Sequence, residues 1–209
     1  MTKKVPSSSR SILLIGTQTI GIADALARLR QGQTVIGAEH GKPGAAVAFA
    51  QGVNHLTLDV TDEQAVRALF ARFDRAQLLP ELVIILPPRA QVERSRHPAV
   101  SEIEQQWRLT AYSAFLIAQA AIRGMQKEGG TVIFAGSMSD KLADADEAAR
   151  FAGLRTLAQS LSREFQPQGI HIAHVQQAGE EHAEALAALI DQLHCQPRDV
   201  WSHEVDLTA

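Results

Sequence analysis

Apolar and polar positions along this chain follow two alternating rhythms. Ser11 to Gly16 carries the unbroken apolar run Ile12-Leu13-Leu14-Ile15, the pattern of a strand buried on both faces in a parallel sheet. After a glycine turn, Ile22, Ala25, Leu26 and Leu29 recur at helical spacing, and Gly32 ends that helix. Thr34 to Ala38 reads as a second strand, Gly41 to Gly44 as a loop, Ala45 to Gly52 as a short Ala-rich helix and His55 to Val60 as a third strand. Thr61 is placed to cap a helix whose buried face is Val66, Leu69, Phe70 and Phe73. Leu82 to Leu86 forms a fourth strand, halted by Pro87-Pro88. Ser101 with Glu104 makes a capping box for a long helix running to about Lys127.

The second half repeats the rhythm. Gly129-Gly130 launches a strand from Thr131 to Ala135 that runs into a Ser-rich loop. A helix from about Glu147 to Phe165 follows, then a break at Pro167 and Gly169 and a strand from Ile170 to Val175. A helix from Ala183 to Leu193 and a last short strand from Val200 to Leu207 complete the alternation. Such alternation predicts one Rossmann-type domain: a doubly wound parallel sheet flanked by helices in three αβα layers, over residues 12–209, with residues 1–11 as a basic, Ser-rich tail.

Composition narrows the setting. The chain has 209 residues, 45% of them hydrophobic and 21% charged, the balance of an ordinary globular domain. A formal charge of −3 argues against a nucleic-acid surface or a polybasic membrane anchor. No segment has the length and apolarity of a membrane span, and the single cysteine, Cys195, points to a reducing compartment; a cytoplasmic address is expected. The eight histidines form no metal-ligand spacing: His171 and His174, three apart on a strand, face opposite ways. His194 and His203, flanking Cys195 and Trp201, read as ligands or, in preference, as interface or surface residues. Arg89, Arg94, Arg96 and His97 read as an anion site above the sheet's carboxyl edge or, in preference, as a solvated loop. Trp107 and Trp201 are large apolar anchors.

Three pieces carry a family resemblance: Leu58-Asp59-Val60-Thr61-Asp62 after the third strand, Gly129-Gly130-Thr131-Val132-Ile133 into the fifth, and Leu154 to Phe165 running into Gly169-Ile170-His171-Ile172-Ala173-His174-Val175. Together they resemble the short-chain dehydrogenase/reductase superfamily over nearly the whole chain. That resemblance implies NAD or NADP as cofactor and no metal. It also implies a cofactor site at Gly16, Gln18, Thr19, Ile20, Gly21, Glu39, Asp59, Val60 and Pro87. Gly16 and Gly21 keep the outer spacing of a phosphate-binding turn, with Gln18 where the middle glycine belongs. They either cradle a pyrophosphate or merely shape a strand-to-helix turn. Glu39 stands where an acid would bind the adenosine ribose and favour NAD, although neighbouring His40 can take that spot. Asp59 and Val60 match the pair that reads the adenine edge.

The catalytic motifs depart from the family. Ser137 matches the serine that polarises the substrate carbonyl, whereas the tyrosine position is Glu147 and the lysine position Phe151. In the family chemistry the tyrosine hands a proton to the carbonyl oxygen and the lysine lowers its pKa. Phe151 can do neither, and Glu147 can act as an acid only if burial raises its pKa. Lys141 sits in a loop with Asp140, Asp144 and Asp146 that reads as solvated. Pro87-Pro88 replaces an Asn-Asn-Ala-Gly loop, removing two N–H donors, and the family's structural Asn falls near Thr110 with Ser113 just after it.

Three functions are therefore carried. The first is a pseudoenzyme that has lost the Tyr/Lys pair and serves as a binding or structural subunit. The second is a divergent NAD(P)-dependent oxidoreductase acting on a small carbonyl or alcohol through Ser137, with Glu147 or water as proton donor. The third is a non-redox lyase or isomerase on the same fold. By the same resemblance the partner is a second copy, in a homodimer or homotetramer, or an active paralogue. The interface would use the two long helices through Ala111, Ala114, Ala118, Ala121, Ala149, Ala152, Leu157 and Leu161, with no nucleic acid and no membrane involved.

Overall fold

The computed structural model describes residues 10–16, 19–41, 53–88, 99–138, 145–178 and 183–207. Seven parallel strands form one sheet in the order β3-β2-β1-β4-β5-β6-β7. They are β1 (Ser11–Gly16), β2 (Thr34–His40), β3 (Val53–Leu58), β4 (Pro80–Leu86), β5 (Gly130–Met138), β6 (Ile170–Ala178) and β7 (Glu204–Leu207). Helices α1 (Thr19–Leu29) and α6 (Ala183–His194) cover one face; α2 (Glu63–Ala76), α4 (Ser113–Met125) and α5 (Ala145–Phe165) cover the other. This is the doubly wound three-layer arrangement that the alternating pattern predicts.

Burial explains the strand sequences. Ile12, Leu13, Leu14 and Ile15 of β1 and Leu82, Val83, Ile84 and Ile85 of β4 are at most 1% exposed, because helices cover both faces of these central strands. Alternate residues then feed two cores. Leu13, Ile15, Val83, Ile85, Val132 and Phe134 pack under α2, α4 and α5, while Ile12, Leu14, Leu82, Ile84 and Ile133 pack under α1 and α6.

Several local expectations shift. Asp62, not Thr61, caps α2, its carboxylate accepting from the Gln64 N–H at 2.8 Å. The long helix begins at Val100 after Ala99, so Ser101 lies inside its first turn and no side chain caps it. The reciprocal contact is made instead by Glu102, whose carboxylate accepts from the Ala99 N–H at 2.8 Å. That helix runs unbroken to Met125 but contains a π-turn over Arg108–Tyr112, which divides it into α3 (Val100–Trp107) and α4. Between the 3-10 turn at Arg198–Val200 and β7 the chain is irregular, so the last strand is shorter than expected. The expected helix at Ala45 to Gly52 and the loop holding Arg89, Arg94, Arg96 and His97 lie outside the described residues.

The alanine stripe has a different job from the one expected. Ala114, Ala118 and Ala121 are at most 2% exposed and Leu161 is 8% exposed, all packed into the core under the sheet's α4/α5 face. Small residues there let the helices lie close on the strands, so these four are spent on the monomer's own packing. Ala149 and Ala152 remain exposed, beside Tyr112 and Phe115 at 39% and 40%.

Candidate functional site

The carboxyl ends of β1, β2 and β4 bring Gly16, Glu39 and Pro87 to one rim. Gly16 pairs in register with Glu39 on β2 and with Leu86 on β4, so the three stand abreast, with half-buried Pro87 and buried Pro88 following. Gly16 has φ +145°, and a β-carbon there would lie 1.5 Å from the Leu86 carbonyl oxygen. Only glycine fits this approach of β1 to β4. A β-carbon at Gly21 would meet the Ala183 side chain at 3.3 Å, so Gly21 lets α1 settle against the start of α6. Thr17 and Gln18 lie outside the described residues, and of Thr19 and Ile20 the backbone alone is described, in the first turn of α1.

The polar groups of the rim are engaged within the chain. Glu39 faces buried His55 of β3, with Oε1 3.6 Å from Nε2. Burial pushes the His55 pKa down, against the pull of Glu39. The Asp59 carboxylate accepts from the Thr61 hydroxyl at 2.7 Å and from the Thr61 N–H at 2.9 Å. These bonds, the hydroxyl first, hold its pKa below the usual carboxylate value, with His40 and Arg108 adding attraction. The Val60 N–H reaches the ring of His40, donating to Nδ1 over a long 3.4 Å, and the same nitrogen lies 3.7 Å from the Asp59 carboxylate. His40 thus fills the place beside Asp59 and Val60 from the end of β2.

The catalytic side is built from β5 and α5. Ser137 is the penultimate residue of β5, in register with Gln177 of β6, and Glu147 lies in the first turn of α5; the side chains of both are outside the description, as are residues 139–144 with Lys141. Phe151, one turn after Glu147, is described. Its ring lies on Gly136, where a β-carbon would be 2.8 Å from Cε1 and 2.9 Å from Cδ1. A phenyl ring therefore fills the space between α5 and the end of β5. The π-turn follows the same theme. Thr110 donates its hydroxyl to the Gln106 carbonyl at 2.8 Å, and Ser113 donates to the Leu109 carbonyl at 2.6 Å. The carbonyls that a π-turn exposes are satisfied by neighbouring hydroxyls.

The sequence model of the family described as Enoyl-(Acyl carrier protein) reductase matches residues 15–194. The chain belongs to the short-chain dehydrogenase/reductase family. Among solved structures it is similar to a short-chain dehydrogenase from Rhodopseudomonas palustris, at 23% identity and TM-score 0.74, covering 95% of this chain and 98% of that one. It is similar too to a short-chain dehydrogenase from Streptomyces avermitilis, at 19% identity and TM-score 0.75, covering 96% and 89%. A short-chain dehydrogenase/reductase from Serratia marcescens matches at 18% identity and TM-score 0.72, covering 95% of each chain. No curated protein matches the chain. These likenesses establish the short-chain dehydrogenase/reductase fold, and NAD(P) is the cofactor the family generally binds.

Sequence reasoning treated the histidines as scattered, and the short-chain dehydrogenase/reductase fold gives several of them defined places. His171 stacks on Trp201 with ring centroids 4.8 Å apart and hydrogen-bonds the Ser202 carbonyl at 2.8 Å. His203 bridges the Ser162 hydroxyl at 2.7 Å and the Ile172 carbonyl at 3.0 Å, and His194 joins the Thr131 hydroxyl at 2.8 Å. These contacts tie the C-terminal segment to the sheet rather than presenting surface residues. Trp107 packs its ring edge against Gly153 of α5, an internal anchor. His174, on the opposite face of β6 from His171, lies under α5 and is 3% exposed; sequence gave no signal for it beyond its face. Cys195 is exposed, with the Arg30 guanidinium donating to its sulfur at 2.9 Å. Among the described residues no group of three or more His, Cys, Asp or Glu is arranged to hold a metal ion. No described helix is long and apolar enough to cross a membrane.

Proposed function

We propose that this member of the short-chain dehydrogenase/reductase family has lost hydride-transfer chemistry and works as a binding or structural subunit in a reducing, cytoplasmic setting. The observation that carries the reading is the Phe151 ring lying on Gly136. The family resemblance calls for a lysine ammonium at that position, to lower a tyrosine pKa and to hold the ribose. A phenyl ring supplies neither charge nor donor, and no tyrosine stands one turn earlier. The residues present also fit a nicotinamide dinucleotide poorly. One oxygen of the Asp59 carboxylate is taken up by Thr61, the Val60 N–H is turned to His40, and prolines stand where backbone donors would line the nicotinamide half. Gly16 is demanded by the contact with Leu86 whether or not a phosphate is bound.

The competing reading, a divergent oxidoreductase working through Ser137, is supported by the place of that serine at the end of β5. Steady-state assays of carbonyl reduction with NADH and NADPH separate the two. The loss-of-chemistry reading expects no turnover above the buffer rate. Turnover that disappears in Ser137→Ala would establish the oxidoreductase instead.

For partners, the reading keeps a homodimer, a homotetramer or a pairing with an active paralogue through the outer surface of α4 and α5. Tyr112, Phe115, Ala149 and Ala152 are the residues left to make that contact. Sedimentation velocity of the wild type and of Phe115→Glu tests it, with dissociation of the variant as the expected outcome.

A further inference from the structure

A cleft of about 450 Å³ opens between α5 and β6. Ala148, Phe151 and Ala152, spaced along one face of α5, make an apolar wall. His174 and Gln176, two apart on β6, make the facing polar wall. Arg155 and Gln159 close the end nearest β7, both holding Glu204: Arg155 Nε lies 2.6 Å from Oε1, and the Gln159 amide donates to Oε2 at 3.3 Å.

His174 gives the cleft its chemistry. Its side chain is buried, and neither ring nitrogen has a hydrogen-bond partner among the described residues. Burying an imidazole with both nitrogens unsatisfied is costly, and native structures carry few such groups. Packing alone would be served as well by leucine. Phe151 and His174 meet at Gly136: a β-carbon there would lie 2.8 Å from the Phe151 ring and 4.0 Å from His174 Nε2. Both ring nitrogens of His174 are shut off from solvent, and half-buried Phe151, which borders the cleft beside it, is the neighbour whose displacement a ligand would need.

We propose that this cleft binds a small uncharged molecule, an aromatic carboxamide or alcohol, whose polar group meets His174 and whose ring lies along Phe151. Charge balance selects the class. Arg155 and Glu204 neutralise each other, and Asp206 adds a negative charge near His174, so an anion is disfavoured. The two oxygens of Glu204 are held by Arg155 and Gln159, and the apolar wall of Ala148, Phe151 and Ala152 would strip water from a cation without replacing it. Burial, more than any neighbouring charge, keeps the His174 pKa below its ordinary value, leaving a neutral ring with one donor and one acceptor. The Gln176 amide, next along the strand face, adds a second donor and acceptor. The volume suits a ligand at the small end of the usual range. This inference goes beyond the loss of hydride chemistry and rests on that reading in one respect, the Phe151 ring that both share, while the cleft itself lies at β6, away from the rim formed by β1 to β4.

Titration of the isotope-labelled full chain with benzamide, followed by two-dimensional NMR, tests the proposal. Saturable shifts are expected at the amides of Ala148, Phe151 and Gln176 and at the His174 imidazole, with a Kd on the order of millimolar or tighter for so small a probe. His174→Leu is expected to weaken binding by about tenfold or more, the loss of one buried hydrogen bond. Thr156→Trp, at an exposed helix position that lines the cleft, is expected to fill it and abolish the shifts while the fold is retained, which keeps the test decisive if His174→Leu does not fold. Absence of saturable shifts would overturn the proposal, as would shifts that persist in Thr156→Trp or that centre on Gly16 and Asp59. A dinucleotide titration reports on the rim instead, so the two readings fail separately.

Discussion

Phe151 and Gly136 are a fitted pair: the phenyl edge lies where a β-carbon on Gly136 would stand, 2.8 Å from Cε1. The glycine makes room for the ring, and the ring fills the space that the family pattern gives to a lysine stem. Each is legible only in the light of the other. Gly136→Ala should therefore destabilise by about 1–3 kcal/mol through overpacking, and the loss should shrink markedly in Gly136→Ala/Phe151→Leu. Chemical denaturation of the two single variants and the double variant measures the coupling. Additive losses would mean that the pair does not pack as described.

Gly16 should be irreplaceable for reasons unrelated to nucleotide. With φ +145° and a β-carbon position 1.5 Å from the Leu86 carbonyl oxygen, Gly16→Ala forces β1 away from β4. A loss of more than about 3 kcal/mol, or failure to fold, is expected. Thermal melting of the purified variant checks it, and a wild-type melting curve would contradict the described register of β1 and β4.

Asp59 gives an acid-side prediction. Its pKa is lowered chiefly by the Thr61 hydroxyl, so its contribution to stability is complete above the unfolded carboxylate value near 3.8 and is lost as pH falls below it through the folded value. Thr61→Val removes the largest favourable contact and should move the Asp59 titration upward. A carboxyl-carbon NMR titration of both proteins reads the shift directly.

His55, His171 and His174 all have lowered pKa values, with burial as the largest cause in each. The unfolded chain then takes up protons more readily than the folded one. Stability is complete above the ordinary histidine value of 6.5 and declines as pH falls from there toward the folded values. Around His174 the charged neighbours are Glu204 and Asp206, which favour protonation, and Arg155, which opposes it. The melting temperature should fall between neutrality and mildly acidic pH, and His174→Leu should make that slope shallower. An unchanged slope in the variant would show that His174 does not titrate between the two states.

How much of this was legible in the chain varies by element. The unbroken runs of β1 and β4 named themselves, because strands covered on both faces admit no polar alternation. Cap positions were less legible. Thr61 and Asp62 are both good caps, and the choice turned on Thr61 being drawn to Asp59 instead. At the next helix Ala99 has no capping side chain, so Ser101 and Glu104 offered a false box two residues late. The π-turn at Arg108–Tyr112 left no mark, since one added residue scarcely disturbs an apolar stripe. Of the alanine stripe, Ala114, Ala118 and Ala121 turned out to pack on the sheet while Ala149 and Ala152 stay exposed, because small apolar residues suit a sheet and a partner helix equally. In the candidate site, Phe151 and Pro87 were singled out by residue type, and His40 as a rival to Glu39. The contacts of Phe151 with Gly136, of His40 with Val60, and the unsatisfied ring of His174 depend on tertiary placement that no local pattern encodes.

Calorimetric titration of the pure protein with NADH and with NADPH tests the central claim most directly. A site with the Asp59 and Val60 groups engaged internally and Phe151 at the lysine position should give no saturable heat with either nucleotide. Saturable binding at micromolar concentration, with carbonyl turnover that Ser137→Ala abolishes, would contradict the account and return the chain to the active oxidoreductases.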